Sequence, residues 1–197
     1  MKRTIALILE DRAHEFVIMA LLAHIFADEG ESLGNWDVNV LCARRGSVLL
    51  GVATEYVNRC KKGDPPCDLF VLASDANCRG FVEKRNEVQQ LFEGYPGRYA
   101  LALPNPHIER WLILDPQAFQ KGVGLSRGVQ APRVKCDRDY YKKTLSQLLR
   151  SAGIVPQFPA GIEFAPEIIK HLNLHTARKD TPFDEFYTSV RACLKDA

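Results

Sequence analysis

The sequence contains no long hydrophobic run. Its longest apolar stretch, residues 16–26, is interrupted by His24 and is shorter than the roughly 20 apolar residues that cross a bilayer. The basic start of the chain meets acids at Glu10 and Asp11, which leaves too little room for the apolar core of a signal peptide. We therefore expect a cytoplasmic protein that does not associate with a membrane.

Closely spaced cysteine pairs are also missing. The six cysteines are scattered without a Cys-x-x-Cys motif, the arrangement typical of zinc sites because two ligands must converge on one ion. For a chain of this size in the expected compartment, free thiols are the expected state. A disulfide between distant cysteines, or a zinc site built from them, is the alternative.

Common signals of nucleotide or nucleophile chemistry are absent as well. The sequence has no phosphate-binding loop of the G-x-x-x-x-G-K-[ST] or G-x-G-x-x-G type, and no serine or cysteine lies at a predicted strand-to-helix nucleophile elbow. The net charge of +2 is nearly balanced and by itself does not indicate a nucleic-acid partner. Nucleotide binding through a phosphate loop is therefore disfavoured.

The sequence does contain a regular alternation of strand and helix patterns. Four segments are predicted to be strands, at residues 4–9, 36–42, 68–73 and 99–103. The first and third are apolar runs typical of buried strands, and the second alternates between apolar and polar residues. Apolar residues at helical spacing predict helices between and after them, at residues 11–27, 48–60, 81–92 and 108–114. Asp115, which precedes Pro116, is predicted to stop the last of these helices. Such alternation predicts an α/β fold with a mostly parallel four-stranded sheet flanked by helices.

The remainder of the chain has a different pattern. Residues 122–133 are rich in glycine, proline and arginine and are predicted to form a loop. Helices are expected after it, at about residues 138–151, 166–173 and 183–195. We therefore divide the chain into an α/β core, residues 1–121, and a loop with a helical C-terminal extension, residues 122–197, that packs on the core.

Three acids follow predicted strands. Glu10 closes the first strand, Asp75 follows the third, and Glu109 lies just after the fourth. The carboxyl ends of parallel strands meet at one edge of a sheet, where ligands of open α/β folds bind. Three converging carboxylates repel one another unless a cation or a shared proton compensates, and Mg²⁺ is the ion that prefers oxygen ligands. The alternative is that each acid only caps a helix or complements its dipole.

Other polar side chains near these acids each have a functional and a structural interpretation. His107 precedes Glu109 closely and is either a proton carrier beside the metal or a structural residue flanking a turn. Arg79, Lys84 and Arg85 follow Asp75, at the start of and along the helical segment after the third strand. They are either contacts to the phosphates of a nucleic acid or a solvated helix face.

A family resemblance rests on these motifs. Glu10 after the first strand, Asp75 and Asn77 after the third, and the four-stranded alternation between them resemble the Toprim domain of topoisomerases, primases and OLD-type nucleases. Residues 104–115 are similar to the I-E-x-W-L-L-x-D signature of an uncharacterised Toprim-related family, whose members are often encoded near phage-defence or mobile-element genes. The resemblance covers most of the chain.

The resemblance implies a metal site and a reaction. Glu10 would be a general base or metal ligand, Asp75 and Asn77 would be ligands of Mg²⁺ or Mn²⁺, and Glu109 would match a later acid of less settled role. The implied activity is a metal-dependent nuclease, or a related phosphoryl-transfer enzyme acting on DNA or RNA, as a phage-defence effector that works alone or with an ATPase partner. Asn77 stands where the family usually has a second aspartate, so metal affinity is expected to be weaker.

Two other functions are also compatible with the sequence. One is a catalytically degenerate Toprim-like module that binds nucleic acid or a partner protein, which Asn77 and the balanced charge favour. The other is hydrolysis of a small phosphorylated metabolite, because a small substrate needs no extended basic surface.

Overall fold

The computed structural model describes residues 2–43, 46–125, 129, 135–137 and 139–195. The described residues form a four-stranded sheet in the order β2-β1-β3-β4, with every neighbouring pair parallel. The strands are β1 (Arg3–Leu9), β2 (Trp36–Cys42), β3 (Leu69–Ala73) and β4 (Tyr99–Ala102). The predicted α/β fold with a parallel sheet is therefore confirmed, and each strand lies where its apolar segment predicted it.

The two central strands are the most apolar part of the sheet. All five residues of β3 are buried, as are Ile5, Leu7, Ile8 and Leu9 of β1. A strand that is covered on both faces has no solvated side to carry polar residues, which explains the uninterrupted apolar run of β3. The carboxyl ends of β1 and β3 consequently lie side by side in the middle of one sheet edge.

Helices cover both faces of this sheet. Those in the described residues are α1 (Arg12–Asp28), α2 (Gly46–Lys61), α3 (Phe81–Leu91), α4 (Pro116–Val123), α5 (Tyr140–Ser151), α6 (Ala165–Ile169), α7 (Leu174–Ala177) and α8 (Thr181–Lys195). Apolar residues of α2 and α3 form one core with one face of the sheet. The other face forms a larger core with α1 and the helices from α4 onward.

The C-terminal helices share this larger core with the first half of the chain. Trp111 packs edge-on against Phe183 of α8, with ring centroids 5.3 Å apart, and stacks on Phe186 at 5.8 Å. Buried residues of α5, including Leu145 and Leu149, belong to the same cluster. Helix α4 continues from residue 116 to 123 and so spans the predicted division at residue 121. The extension thus packs directly on the face that carries α1.

The segment after β4 differs from the prediction. A 3₁₀ turn, Ile108–Ile113, replaces the predicted helix, and Asp115, which was expected to stop it, instead begins α4. Asp115 Oδ1 accepts hydrogen bonds from Gln117 N at 3.0 Å and Ala118 N at 3.2 Å, and Pro116 stands at the first helical position. Aspartate before proline is a helix-starting pair as well as a helix-stopping one, which the sequence pattern alone does not distinguish.

Two other predictions change in detail. The predicted loop over 122–133 begins inside α4, and most of it lies outside the described residues. The predicted helix over 166–173 is the short α6, and α7 follows it as a separate turn capped by Asn173. Within the described part of the chain, no helix is both long enough and apolar enough to span a bilayer.

The expectation of free thiols is wrong for two cysteines. Cys78, in the turn after β3, is disulfide-bonded to Cys136, which precedes α5, with a Cα–Cα distance of 5.5 Å. The two residues are 58 positions apart in sequence, so only the fold brings them together. Cys42, Cys60 and Cys67 are not disulfide-bonded.

Candidate active site at the strand ends

Glu10 and Asp75 are joined by hydrogen bonds where β1 and β3 end. Glu10 N donates to Ala73 O at 3.0 Å, which extends the strand pairing by one residue. The Glu10 carboxylate then accepts from Ser74 Oγ at 2.7 Å and from Asp75 N at 3.1 Å, both at Oε2. The two acids therefore share one edge of the sheet, as their positions after neighbouring strands predict.

Asp75 is the centre of a cluster that includes two histidines. Its Oδ1 accepts from Ile108 N at 2.9 Å and lies 3.2 Å from His14 Nε2. Its Oδ2 lies 3.1 Å from His107 Nδ1. The side chain is 17% exposed, so these three partners replace most of the water that would otherwise solvate the charge.

His14 is a member of this cluster that the sequence did not reveal. It lies in the first turn of α1, is fully buried, and its Nδ1 lies 2.7 Å from Oδ1 of Asp11, the residue that caps the helix. Burial alone would lower the pKa of His14, but the charge of Asp75 and hydrogen bonds to both aspartates raise it to about 10. His14 is therefore an imidazolium ion at neutral pH.

The same pairing keeps Asp75 ionised. Burial would raise the pKa of Asp75, but the positive charge of His14 and the hydrogen bonds from His107 and His14 outweigh it and lower the pKa to about 2. A carboxylate between two imidazoles holds both rings in place and favours their protonated forms. The negative charge of Asp75 is thus compensated by the positive charge of His14 within the cluster.

The second ring nitrogen of His107 is a buried polar atom of the site. The hydrogen bond to Asp75 raises the pKa of His107, partly opposed by burial, and the charges of Asp75 and Glu109 raise it further. Its Nε2 is buried and, among the residues that the structure describes, has no hydrogen-bond partner. A buried ring nitrogen without a partner costs free energy, so this atom is suited to meet a ligand.

Glu109 is buried beside the cluster and faces a lysine from α5. It is 3% exposed, and burial together with the nearby Asp75 charge raises the pKa of its carboxyl group. Lys142 Nζ lies 3.7 Å from Glu109 Oε1 and partly offsets that effect. The acid predicted from its place after β4 therefore lies near Asp75, and a C-terminal helix supplies its cation.

Asn77 has a structural role at this edge. Its φ of 53° lies in the left-handed region, which asparagine tolerates better than most residues. Its Nδ2 donates to the Asp75 carbonyl at 3.2 Å, and its main-chain N–H donates to Pro106 O at 2.9 Å. Together with the bond from Ala76 N to Pro104 O, at 2.9 Å, these contacts fasten the turn after β3 to the turn after β4.

The arrangement around Asp75 does not fit direct coordination of Mg²⁺. Both lone pairs of Oδ1 are occupied by Ile108 N and His14, Oδ2 is engaged by His107, and His14 already supplies a positive charge. In the described ranges, no group of three or more His, Cys, Asp or Glu side chains is placed to hold a metal ion. We therefore derive no chemical step through a metal, and magnesium stays a prediction of the resemblance.

The predicted phosphate contacts after Asp75 are engaged in ion pairs. Arg79 pairs with Glu83 at 2.9 Å and with Glu87 at 3.3 Å. Lys84 is 9% exposed and lies 3.7 Å from Glu87. Arg85 pairs with Glu185 of α8 at 2.7 Å. These cations are largely compensated by neighbouring carboxylates, which weakens their case as a phosphate-binding surface.

His14 and Lys142 are the site residues that sequence reasoning missed. The spacing of Asp11 and His14 is that of a helix cap and a first-turn residue, so a cap–histidine pair was a readable signal. Nothing local connects Lys142 to Glu109, because their contact depends on how α5 packs. No known protein family, curated protein or solved structure matches the chain.

Proposed function

We propose that this chain is a nuclease, or a related phosphoryl-transfer enzyme acting on nucleic acid, whose active site is the cluster at the ends of β1 and β3. The observation that carries the proposal is the pair of histidines on Asp75, together with the unpartnered Nε2 of His107 and the carboxylate of Glu10, which accepts a hydrogen bond from Asp75 N. Hydrolysis of a phosphodiester needs a group that takes a proton from water and one that gives a proton to the leaving oxygen. A carboxylate and a protonated imidazole supply these two functions.

The residues have distinct tasks in this proposal. Glu10 accepts a proton from the attacking water, whose oxygen forms the new bond to phosphorus. The bond between phosphorus and the leaving oxygen breaks, and His107 Nε2 donates its proton to that oxygen. Asp75 holds the His107 ring through Nδ1 and favours its protonated form. His14 balances the charge of Asp75 and fixes its orientation, so it is a positioning residue.

The raised pKa of His107 suits the role of proton donor. A positioned acid or base typically contributes about 10²- to 10⁴-fold to the rate, and works best when its pKa lies near the operating pH. The hydrogen bond and charge of Asp75 raise the pKa of His107 above its ordinary value of 6.5. His107 is therefore protonated for a larger share of molecules at neutral pH than an isolated histidine is.

A second candidate is a catalytically degenerate module that binds nucleic acid or a partner protein. The observation in its favour is that protein groups engage both carboxylate oxygens of Asp75, and that Asn77 uses its amide to fasten a turn. In that case the cluster stabilises the fold and does not meet a substrate. Cleavage assays separate the two candidates directly.

The test is cleavage of labelled single- and double-stranded DNA and RNA in Mg²⁺, in Mn²⁺ and in a chelator. Wild-type protein is compared with Glu10→Gln and with Glu167→Gln, a matched change at an exposed glutamate of α6. The proposal expects cleavage that falls by about 10² or more in Glu10→Gln and is unchanged in Glu167→Gln. No cleavage under any condition, with intact binding of nucleic acid, supports the degenerate module instead.

We place this activity in the cytoplasm, in a phage-defence effector that works alone or with an ATPase partner, as the sequence predicts. The Cys78–Cys136 disulfide is the observation that opposes this location, because disulfides seldom persist in reducing compartments.

A further inference from the structure

Helix α5 has one buried face and one cationic face. Tyr141, Leu145 and Leu149 are buried against the core. The other side lines a groove of about 390 Å³ between α5 and the turn that follows it, formed by Asp139, Lys142, Lys143, Ser146, Gln147, Arg150, Pro159 and Ala160. The groove therefore brings three cations and a single carboxylate together with two neutral polar side chains.

One residue, Lys142, connects this groove with the candidate active site. Lys142, which lines it, lies 3.7 Å from the buried Glu109. Glu109 is close enough to Asp75 and His107 for its charge to affect the pKa of His107. A ligand that lies along α5 and contacts Lys142 therefore reaches the residue that pairs with Glu109.

The cations of the groove are less compensated than those after Asp75. In the described residues, neither Lys143 nor Arg150 has a carboxylate within ion-pair distance, whereas Arg79 and Arg85 each do. Lys142 is the exception in the groove, and its partner is the site residue Glu109. Positive charge without a protein partner in a groove favours a polyanion.

The length of the cationic face matches a short piece of nucleic-acid backbone. Lys142 and Arg150 are two turns apart on α5, which corresponds to about 12 Å along the helix axis at about 1.5 Å per residue. One strand of a duplex advances about 3.4 Å per nucleotide along the duplex axis, so three to four nucleotides of a duplex whose axis is parallel to α5 lie within this length.

We propose that the groove along α5 binds the phosphate backbone of a nucleic acid and guides it to His107 and Glu10. The proposal rests on the proposed function for the identity of the ligand, but it concerns binding and is measured without cleavage. Lys143 and Arg150 contact phosphates, and Ser146 and Gln147 donate further hydrogen bonds. Because backbone contacts carry no base information, the binding is expected to be independent of sequence.

The test is binding of fluorescent single- and double-stranded DNA and RNA to the double variant Lys143→Ala/Arg150→Ala, at several salt concentrations. The matched control is Lys62→Ala/Lys170→Ala, which removes two charges from exposed lysines outside the groove. Thermal unfolding of all three proteins verifies that the fold is intact. Polyglutamate serves as a polyanion without phosphates.

The groove variant is expected to bind at least about tenfold more weakly at low salt, and its log–log salt slope should decrease by about 1.4 for single strands, since each phosphate contact contributes about 0.7. The control should bind as the wild type does. The proposal is overturned if wild-type protein binds no nucleic acid, if both double variants lose affinity equally, or if polyglutamate binds as tightly as the oligonucleotides. Binding through the groove without cleavage would refute the nuclease while leaving the groove in place.

Discussion

His14 Nε2 lies 3.2 Å from Asp75 Oδ1 and joins the first turn of α1 to the end of β3 across 61 residues of sequence. The pair is buried next to Glu10 and shares Asp75 with His107. The pair places the positive charge of His14 and the negative charge of Asp75 at fixed positions beside the strand ends. Its consequences for stability and for proton transfer can both be measured.

The first prediction concerns stability at alkaline pH. The folded pKa of His14 is about 10, above its ordinary value of 6.5, so its stabilising contribution is complete below about pH 6.5 and is lost as pH rises towards 10. In His14→Gln the free energy of unfolding should fall by about 3–5 kcal/mol, the range for breaking a buried pair, when measured near pH 6. Chemical denaturation at pH 6 and pH 9.5 tests this.

The difference in the free energy of unfolding between wild type and His14→Gln should be smaller at pH 9.5 than at pH 6. Deprotonation of His14 removes from the wild type the same ion pair that the substitution removes from the variant. His24→Gln is the matched control, since His24 bonds only the Leu172 carbonyl in the described chain. A gap of equal size at both pH values would show that His14 is not held as an imidazolium.

The second prediction concerns the ionised carboxylate of Asp75 and its effect on the pKa of His107. The pKa of Asp75 is lowered from 3.8 to about 2, so its contribution is present above about pH 3.8 and is lost as pH falls towards 2. Asp75→Asn removes the charge that raises the pKa of His107. In NMR titrations of the histidine rings, the His107 pKa should therefore be lower in Asp75→Asn than in wild type. An unchanged His107 titration would show that the hydrogen bond between these residues does not form in solution.

The third prediction concerns Asn77. Its left-handed backbone costs other L-residues about 1–2 kcal/mol. Both Asn77→Ala and Asn77→Gly lose the Nδ2 hydrogen bond, so Asn77→Ala should lower the free energy of unfolding by about 1–2 kcal/mol more than Asn77→Gly does. Asn77→Asp tests the metal that the Toprim resemblance implies. We expect no gain of Mg²⁺-dependent cleavage, because Asp75 is engaged by protein donors. A clear gain would point to a weakened metal site.

The fourth prediction concerns the disulfide. Cys78 and Cys136 close a loop of 58 residues, and loop-closure entropy gives such a cross-link about 4 kcal/mol of stabilisation. The intact chain prepared without reductant should weigh two hydrogens less than the reduced chain, and peptide mapping should join these two cysteines. Cys78→Ser/Cys136→Ser should unfold at lower denaturant concentration. Two free thiols at these positions in oxidised protein would contradict the pairing.

The fold was largely predictable from the sequence, and the reason is periodicity. Apolar runs and turn residues located all four strands, and the parallel topology then placed Glu10 and Asp75 at one sheet edge. The partners of those acids were not predictable in the same way. His14 and Lys142 reach the site from α1 and α5, and such contacts depend on helix packing between distant segments.

The same limit explains the errors. The sequence predicts that Asp115 ends a helix, but Asp115 begins α4, because an aspartate before a proline can also start a helix. The sequence did not reveal the ion pairs of Arg79 and Arg85. The carboxylates that pair with Arg79 lie one and two turns further along the chain, and the one that pairs with Arg85 lies on α8. The basic residues of α5 were visible in the sequence, but only the Lys142–Glu109 contact connects them to the site.

The central claim is that His107 transfers a proton during phosphodiester cleavage, and the most direct test is single-turnover cleavage by His107→Gln. His171→Gln, a change at an exposed histidine, is the control, and nucleic-acid binding is measured on the same proteins. We predict that His107→Gln binds normally and cleaves at least about 10²-fold more slowly, while His171→Gln behaves as the wild type. Equal cleavage rates for His107→Gln and wild type would contradict the account.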